Sequence, residues 1–147
     1  MTIGKNEATL ELIFPEVRRE RVAVLANVEV ILFTGNLPYA IKLQRTCLRW
    51  CLNYSWQLFD RKKQVDHEDF DVAVIDCDLG FETALKISQV IYEQEQSLPI
   101  LLVGSVAKGF QSHQWSPNVT GFVLKSLGTE KVVEYLISIG NDLHKKQ

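Results

Sequence analysis

Residues 70–80 of this chain read FDVAVIDCDLG, a short apolar run that ends in acid, thiol and acid. The β-branched composition of 71–76 is typical of a buried strand in a parallel sheet, because such strands are covered on both faces. Asp76, Cys77 and Asp78 stand at its end. The ending allows three interpretations: a phosphoryl acceptor, a pair of metal ligands, or a polar strand end without chemistry.

Short β-rich runs alternate with longer helical stretches on both sides of this strand. Apolar side chains recur at helical spacing over 37–54, over 82–96 and from about Thr129, which predicts three helices. The charged stretch 61–69 predicts a solvated loop or an abbreviated helix, and serines, a glycine and a proline in 105–118 predict a short, irregular one. The predicted strands are VEVILF (28–33), WQLFD (56–60), DVAVID (71–76), LPILLVG (98–104) and TGFVLK (120–125).

This alternation predicts an α/β fold, with a five-stranded parallel sheet that is doubly wound by helices on both faces. In such sheets, ligands bind beyond the carboxyl ends of the strands. The turns after four of the strands should therefore open onto one rim of the sheet. The residues expected to meet there are Thr34, Asp76, Ser105 and Lys125.

Composition places the chain among ordinary globular proteins and excludes several functions. Its 147 residues, 46% hydrophobic and 23% charged, suit one domain with a proper core. A net charge of -2 does not indicate the excess of positive charge that is typical of proteins that bind nucleic acid or anionic lipid. No run is long enough to span a bilayer, so a cytoplasmic location is expected. The three cysteines suggest reduced thiols, with Cys47 and Cys51 in the core, and the histidines lack zinc spacing.

From Val28 to about residue 143 the sequence resembles the receiver domain of two-component signalling, the CheY-like response-regulator fold. The resemblance rests on DVAVID (71–76), LPILLVGS (98–105) and GFVLKSL (121–127). It implies that Asp76 is the candidate phosphoryl acceptor and that Lys125 is the lysine that contacts the phosphoryl group. By the same resemblance, Phe122 falls on the aromatic switch position, and Ser105, one place beyond the hydroxyl switch position, is the candidate for the switch hydroxyl.

Several positions depart from the receiver pattern. A phosphoryl-accepting carboxylate needs Mg²⁺, which the family holds partly with an acidic pair after the first strand. Those positions read Thr34 and Gly35, although Asp78 offers a further carboxylate. The switch hydroxyl position falls on Gly104, with Ser105 one place late. We therefore expect a degenerate receiver with no cofactor, no metal site and no enzymatic activity, in which a salt bridge joins Asp76 to Lys125.

Two alternative functions stay open at this point. The first is an active receiver that binds Mg²⁺, accepts phosphate on Asp76 from a histidine donor, and uses Ser105 as the switch hydroxyl. The second is a small flavin- or nucleotide-binding domain on the same scaffold. Against the second, the turn FTGNLP (33–38) has one glycine and no glycine-rich phosphate loop.

The chain divides into an N-terminal arm or linker, 1–27, and a receiver-like domain, 28–147. Within the arm, NEATLELIFPEV (6–17) resembles the closing strand of a histidine-kinase ATP-binding domain. That resemblance implies that the domain belongs to a longer hybrid sensor kinase in a phosphorelay, either a cytoplasmic kinase or the cytoplasmic part of a membrane-bound one. The alternative is an ordinary strand or arm packed against the domain.

Aromatic residues suggest where partners would bind. The predicted inner stripe of the first helix consists of Leu37, Ala40, Ile41, Gln44, Cys47, Leu48, Cys51 and Leu52. Trp50 lies off this stripe, together with Leu43 and Thr46. Phe110 and Trp115 lie in the irregular stretch before the last strand. These aromatics mark either contact surfaces or the packing of a loop onto the sheet. The expected partners are kinase or phosphotransfer domains, or a second copy of the chain in a homodimer.

Overall fold

The computed structural model describes residues 28–58 and 70–145, with the side chains of 143–145 excepted. The N-terminal arm and the charged stretch 61–69 lie outside the described residues, so the predictions for them stay predictions. The strands are β1 (Glu29–Thr34), β2 (Asn53–Leu58), β3 (Val72–Asp76), β4 (Ile100–Gly104) and β5 (Val119–Leu124). The helices are α1 (Leu37–Arg49), α2 (Phe81–Gln94) and α3 (Thr129–Lys145).

The five strands form one sheet in the order β2-β1-β3-β4-β5, and all neighbouring strands are parallel. This confirms the predicted fold class. The chain passes from β1 outward to β2 and then returns to β3, so the strand order reverses between β1 and β3. Phe33 pairs with Ile75 at that point. Ligand sites of open α/β sheets lie at such switch points, beyond the carboxyl ends of the strands.

Two apolar layers enclose the sheet, and they explain why its central strands read as continuous apolar runs. All residues of β3 and β4 are buried. On one face, Val30, Leu32 and Val74 pack with side chains of α1 and α3. On the other face, Phe33 and Ile75 pack with side chains of α2 and of the segment before β5. Burial of each such side chain stabilises the fold by about 1.5–3 kcal/mol.

The buried face of helix α1 differs in part from the predicted one, so that prediction was partly wrong. The start of the helix follows local chemistry, since the Asn36 side chain accepts a hydrogen bond of 3.0 Å from the Tyr39 amide. The predicted inner stripe, however, contains residues that the structure exposes. The buried face lies further toward α3, because α1 packs against that helix as well as against the sheet. Buried residues are Tyr39, Ala40, Leu43, Thr46 and Cys47, whereas Leu37, Ile41, Leu48 and Cys51 are exposed.

The connection between β4 and β5 contains turns in place of a helix, in agreement with the predicted irregularity. Two short 3₁₀ turns, Cys77–Leu79 and Lys125–Leu127, follow β3 and β5. Strand β2 begins at Asn53 rather than at residue 56. Within 28–58 and 70–145, no helix has both the length and the apolar character needed to cross a bilayer.

Candidate functional site

The carboxyl ends of β1, β3, β4 and β5 meet at one rim of the sheet, as the parallel topology requires. The turns after β3 and β5 have the same form there, a 3₁₀ turn followed by a glycine that opens a helix. Gly80 and Gly128 adopt φ values of 111° and 92°, a region that favours glycine. These turns bring together the predicted residues Thr34, Asp76, Ser105 and Lys125, and add Asp78 to them.

The Asp76 carboxylate is enclosed, and both of its oxygens accept hydrogen bonds. Its Oδ2 atom accepts a bond of 2.6 Å from Thr34 Oγ1 and one of 2.7 Å from Lys125 Nζ. Its Oδ1 atom accepts a bond of 2.9 Å from the amide of Asp78. The residue is 1% exposed. Both oxygens are therefore occupied by groups of the protein, and the expected salt bridge to Lys125 is present.

Asp78 forms a second carboxylate centre beside the first. Its Oδ1 accepts the Ser105 amide at 2.9 Å, and its Oδ2 accepts the Ser105 hydroxyl at 2.6 Å. Lys125 Nζ lies 2.9 Å from the same Oδ2. Partial burial by itself would raise the pKa of Asp78. The hydrogen bonds from Ser105 and Lys125 outweigh burial, so the pKa of this carboxyl lies below its ordinary value of 3.8.

The lowered pKa of Asp78 makes a pH-dependent prediction. A carboxyl whose pKa is lower in the folded state stabilises the fold above its ordinary pKa, and this contribution is lost as pH falls through the lowered value. At pH 7 we expect wild type to be more stable than Asp78→Asn by at most about 1 kcal/mol, since the side chain is 37% exposed. The difference should shrink below pH about 4. Urea unfolding at pH 7, 5 and 3 measures it, and a difference that stays constant would contradict the assignment.

Lys125 is the cation shared by the two carboxylates. Its side chain is only 13% exposed, and its ammonium also lies 4.3 Å from the centre of the Tyr39 ring. Burial, followed by the charge of Asp76, raises the pKa of the Tyr39 phenol, so the ring stays neutral beneath the cation. Attraction to the ring face adds to the two ion pairs in fixing the ammonium.

The thiol between the two acids is chemically inert. Cys77 is buried, and burial, followed by the charges of Asp76 and Asp78, raises its pKa to about 12. Only the thiolate is a strong nucleophile or metal ligand, and it is absent at neutral pH with this pKa. Cys77 therefore packs as a small apolar side chain in the apolar layer between the sheet and α2.

The residues of the rim do not fit a magnesium ion. Thr34 donates its hydroxyl hydrogen to Asp76 and accepts the Asn36 amide at 3.0 Å, so this hydroxyl is already engaged. A β-carbon added to Gly35 would lie 2.9 Å from Cδ2 of Leu79, which therefore covers the position of the second acid. Among the described residues, no three His, Cys, Asp or Glu side chains group as metal ligands.

At the switch positions of the receiver pattern, Gly104 and Phe122 pack closely against each other. A β-carbon added to Gly104 would lie 3.0 Å from the Phe122 ring and 3.3 Å from Cys77 Cβ, so only glycine allows the ring to come this close. The Phe122 ring packs against Phe81 and Phe110 at centroid distances of 6.3 and 5.4 Å. Ser105 points to Asp78 rather than to Asp76.

Phe110 and Trp115 belong to an aromatic cluster that packs the β4–β5 connection onto the sheet. The Trp115 Nε1 atom donates a 2.8 Å hydrogen bond to the Phe110 carbonyl, and both rings are half-buried. His113 stacks on Phe81, with centroids 5.7 Å apart, and closes the cluster. This is the loop-packing alternative of the sequence analysis. A partner-binding role for these two residues stays a prediction.

Gly109 lies so close to this aromatic cluster that no larger residue fits there without a shift of its neighbours. A β-carbon there would lie 2.5 Å from the Phe81 ring, which His113, Trp115 and Phe122 surround. We expect Gly109→Ala to lower the free energy of unfolding by about 1–3 kcal/mol, because an overpacked ring must shift its neighbours. Gly121→Ala is the matched control, since no atom lies within 4 Å of its added β-carbon. Equal effects in urea unfolding would contradict this packing.

Trp50 is half-buried at the junction of α1 and α3. Its Nε1 atom donates a 2.8 Å hydrogen bond to Glu130 Oε2, and Arg49 lies 2.5 Å from Oε1 of the same carboxylate. Beside them, the hydroxyls of Thr46 and Thr129 lie 2.6 Å apart. The face of α1 that carries Trp50, Leu43 and Thr46 is thus a second packed face, and a partner-binding role for Trp50 stays a prediction.

Sequence reasoning missed three parts of this site. The link between Asp78 and Ser105 joins residues 27 positions apart, and no local pattern indicates it. The cover that Leu79 places over Gly35 depends on the shape of the 3₁₀ turn. The contact of Tyr39 with Lys125 follows from the true orientation of α1. Asn36, a typical helix-capping residue, indicates where α1 begins but not which of its faces is buried.

Comparison with known proteins identifies the fold. No protein-family model and no curated protein matches the chain. Its structure is similar to a CheY-like receiver domain protein from Methanospirillum hungatei JF-1 (TM-score 0.67, 10% identity, 82% of this chain and 99% of that one). It is also similar to the response regulator TrrA from Thermotoga maritima in complex with Mg(2+)-BeF (TM-score 0.65, 12% identity, 76% and 98%). The chain therefore has the fold of response-regulator receiver domains.

Proposed function

We propose that this chain is a receiver-like signalling module that is not phosphorylated and acts through protein contacts. One observation carries the proposal. Both carboxylate oxygens of Asp76, the residue at the acceptor position, already accept hydrogen bonds from Thr34, Lys125 and the amide of Asp78, and the residue is 1% exposed. An acceptor carboxylate needs a free oxygen to attack phosphorus and a cation to neutralise the developing charge.

The partners in this proposal are kinase or phosphotransfer domains of a two-component phosphorelay, or a second copy of the chain. The similarity of its fold to response-regulator receiver domains supports a signalling role with protein partners. The proposal includes an origin in a hybrid histidine kinase and a cytoplasmic location, which rest on the resemblance of 6–17 and on composition.

A second candidate function is an active receiver, which the preserved pair of Asp76 and Lys125 favours. Activity would require Lys125 to release Asp76 Oδ2 and a divalent cation to enter beside it. Thr34 and Gly35 offer that cation no carboxylate, which makes this function the weaker of the two. A flavin- or nucleotide-binding role finds no supporting feature in the turn after β1.

Incubation with Mg²⁺ and acetyl phosphate, followed by mass measurement of the intact protein, separates the two functions. The proposal predicts that wild type and Asp76→Asn each keep their own unmodified mass, without a phosphate adduct. The active receiver predicts one adduct on wild type and none on Asp76→Asn. The second result would overturn the proposal, and a known active receiver treated in parallel verifies the donor.

A further inference from the structure

A single network joins the turns that follow β3, β4 and β5. Asp78 belongs to the first turn, Ser105 to the second and Lys125 to the third. We infer that these three residues form a built-in clamp, which holds this rim of the sheet in one arrangement without a bound metal ion or anion. The clamp concerns the conformation of the rim, so it goes beyond the proposed function, which concerns phosphorylation and partners.

The geometry of Ser105 is the first argument for the clamp. Its amide and its hydroxyl donate to the two different oxygens of Asp78, at 2.9 and 2.6 Å. Two parallel hydrogen bonds to one carboxylate fix orientation as well as distance, and bonds to a charged acceptor are stronger than neutral ones. The backbone that leaves β4 is therefore held from both its main chain and its side chain.

The anchoring of Asp78 itself is the second argument. Its own amide donates to Asp76 Oδ1, and the 3₁₀ turn that carries it is held by the buried Cys77 and by the contact of Leu79 with Gly35. The carboxylate is thus presented from a rigid support. A receptor group that is fixed on rigid elements positions its partner more accurately than one on a free loop.

The charges complete the clamp. Lys125 Nζ lies 2.7 Å from Asp76 Oδ2 and 2.9 Å from Asp78 Oδ2, so one ammonium bridges both acids. Each of the four carboxylate oxygens accepts at least one hydrogen bond from the protein. These four oxygens therefore need no bound ion to satisfy their hydrogen bonding. For this reason we expect the rim to keep one conformation whether or not an ion is present.

Amide hydrogen exchange followed by NMR tests the clamp. In wild type, the Ser105 amide should exchange slowly although the residue is exposed, because its hydrogen is bound to Asp78. In Asp78→Ala that amide loses its acceptor, and we expect its exchange to become at least ten times faster. Glu95→Gln is the matched control, since Glu95 accepts a hydrogen bond of 2.6 Å from the nearby Ser97 within one turn. It should leave Ser105 unchanged.

Unchanged exchange at Ser105 in Asp78→Ala, or fast exchange in wild type, would overturn the clamp. Relaxation dispersion on wild type gives a second test that needs no variant. The clamp predicts no millisecond exchange at residues 78, 105 and 125, and two interconverting states there would contradict it. These results are independent of the acetyl phosphate experiment, so the clamp and the proposed function can fail separately.

Discussion

Asp76→Ala is expected to lower the free energy of unfolding by about 3–5 kcal/mol, the usual cost of removing one partner from a buried ion pair. The substitution leaves the Lys125 ammonium, whose side chain is 13% exposed, without its nearest carboxylate. It also removes the acceptor of the buried Thr34 hydroxyl and of the Asp78 amide. Urea unfolding followed by tryptophan fluorescence measures the change.

Whether Asp76→Ala destabilises or stabilises the protein shows whether the charges of the rim are compensated. In a rim where several carboxylates face each other without a cation, loss of one relieves repulsion and stabilises the protein. Here the charges are already compensated, so loss of Asp76 should destabilise it. Asp71→Ala is the matched control, because Asp71 accepts one hydrogen bond of 2.9 Å from the Glu29 amide at the other end of the sheet. We expect that variant to lose about 1 kcal/mol. A more stable Asp76→Ala protein would contradict the assignment.

Lys125→Met should be the second strongly destabilising substitution, again by about 3–5 kcal/mol. Methionine fills a similar volume but leaves Asp76 and Asp78 side by side with no cation between them. Lys131→Met is the control, since Lys131 pairs with Glu134 at 3.2 Å on the surface, where both side chains are about half exposed. Its effect should stay below about 0.5 kcal/mol.

The double variant that combines Asp76→Ala with Lys125→Met tests whether these two side chains act as a pair. When both charges are removed together, neither is left unpaired, so the double variant should lose less stability than the sum of the two single ones. We expect a coupling of about 1–3 kcal/mol in urea unfolding, the range typical of residues in one network. Additive losses would show that the two side chains do not act as a pair.

The α/β architecture and the common location of the rim residues could be predicted from the sequence. Apolar runs such as 71–76 and 98–104, rich in β-branched residues, are typical of strands that are covered on both faces, and parallel topology then places all their carboxyl ends together. Thr34, Asp76, Ser105 and Lys125 could therefore be assigned to one rim before their distances were known.

The details that decide the chemistry were out of reach of sequence patterns. Helical spacing predicted partly the wrong face of α1, because it left out the buried Leu43 and Thr46, whose burial depends on how α1 packs against α3. Strand β2 lies at the edge of the sheet and has a mixed pattern of exposure, so its start at Asn53 had no apolar signal. The Asp78 to Ser105 link joins two turns through tertiary structure alone.

Lys125 is covalently tethered beside Asp76 and Asp78, so its charge cannot leave the rim when an anion is absent, whereas a metal ion binds and dissociates. We therefore expect this rim to keep the same charge balance with and without an anion.

Titration with Mg²⁺ tests this account most directly. Amide chemical shifts of residues 34, 76, 78 and 105 are recorded while Mg²⁺ rises to about ten millimolar, with Ca²⁺ and ionic strength controls. We predict only small, nonsaturating shifts that follow ionic strength. Saturable shifts at low millimolar Mg²⁺ that are localised around residue 76 would show that the cation displaces Lys125, and would contradict the account.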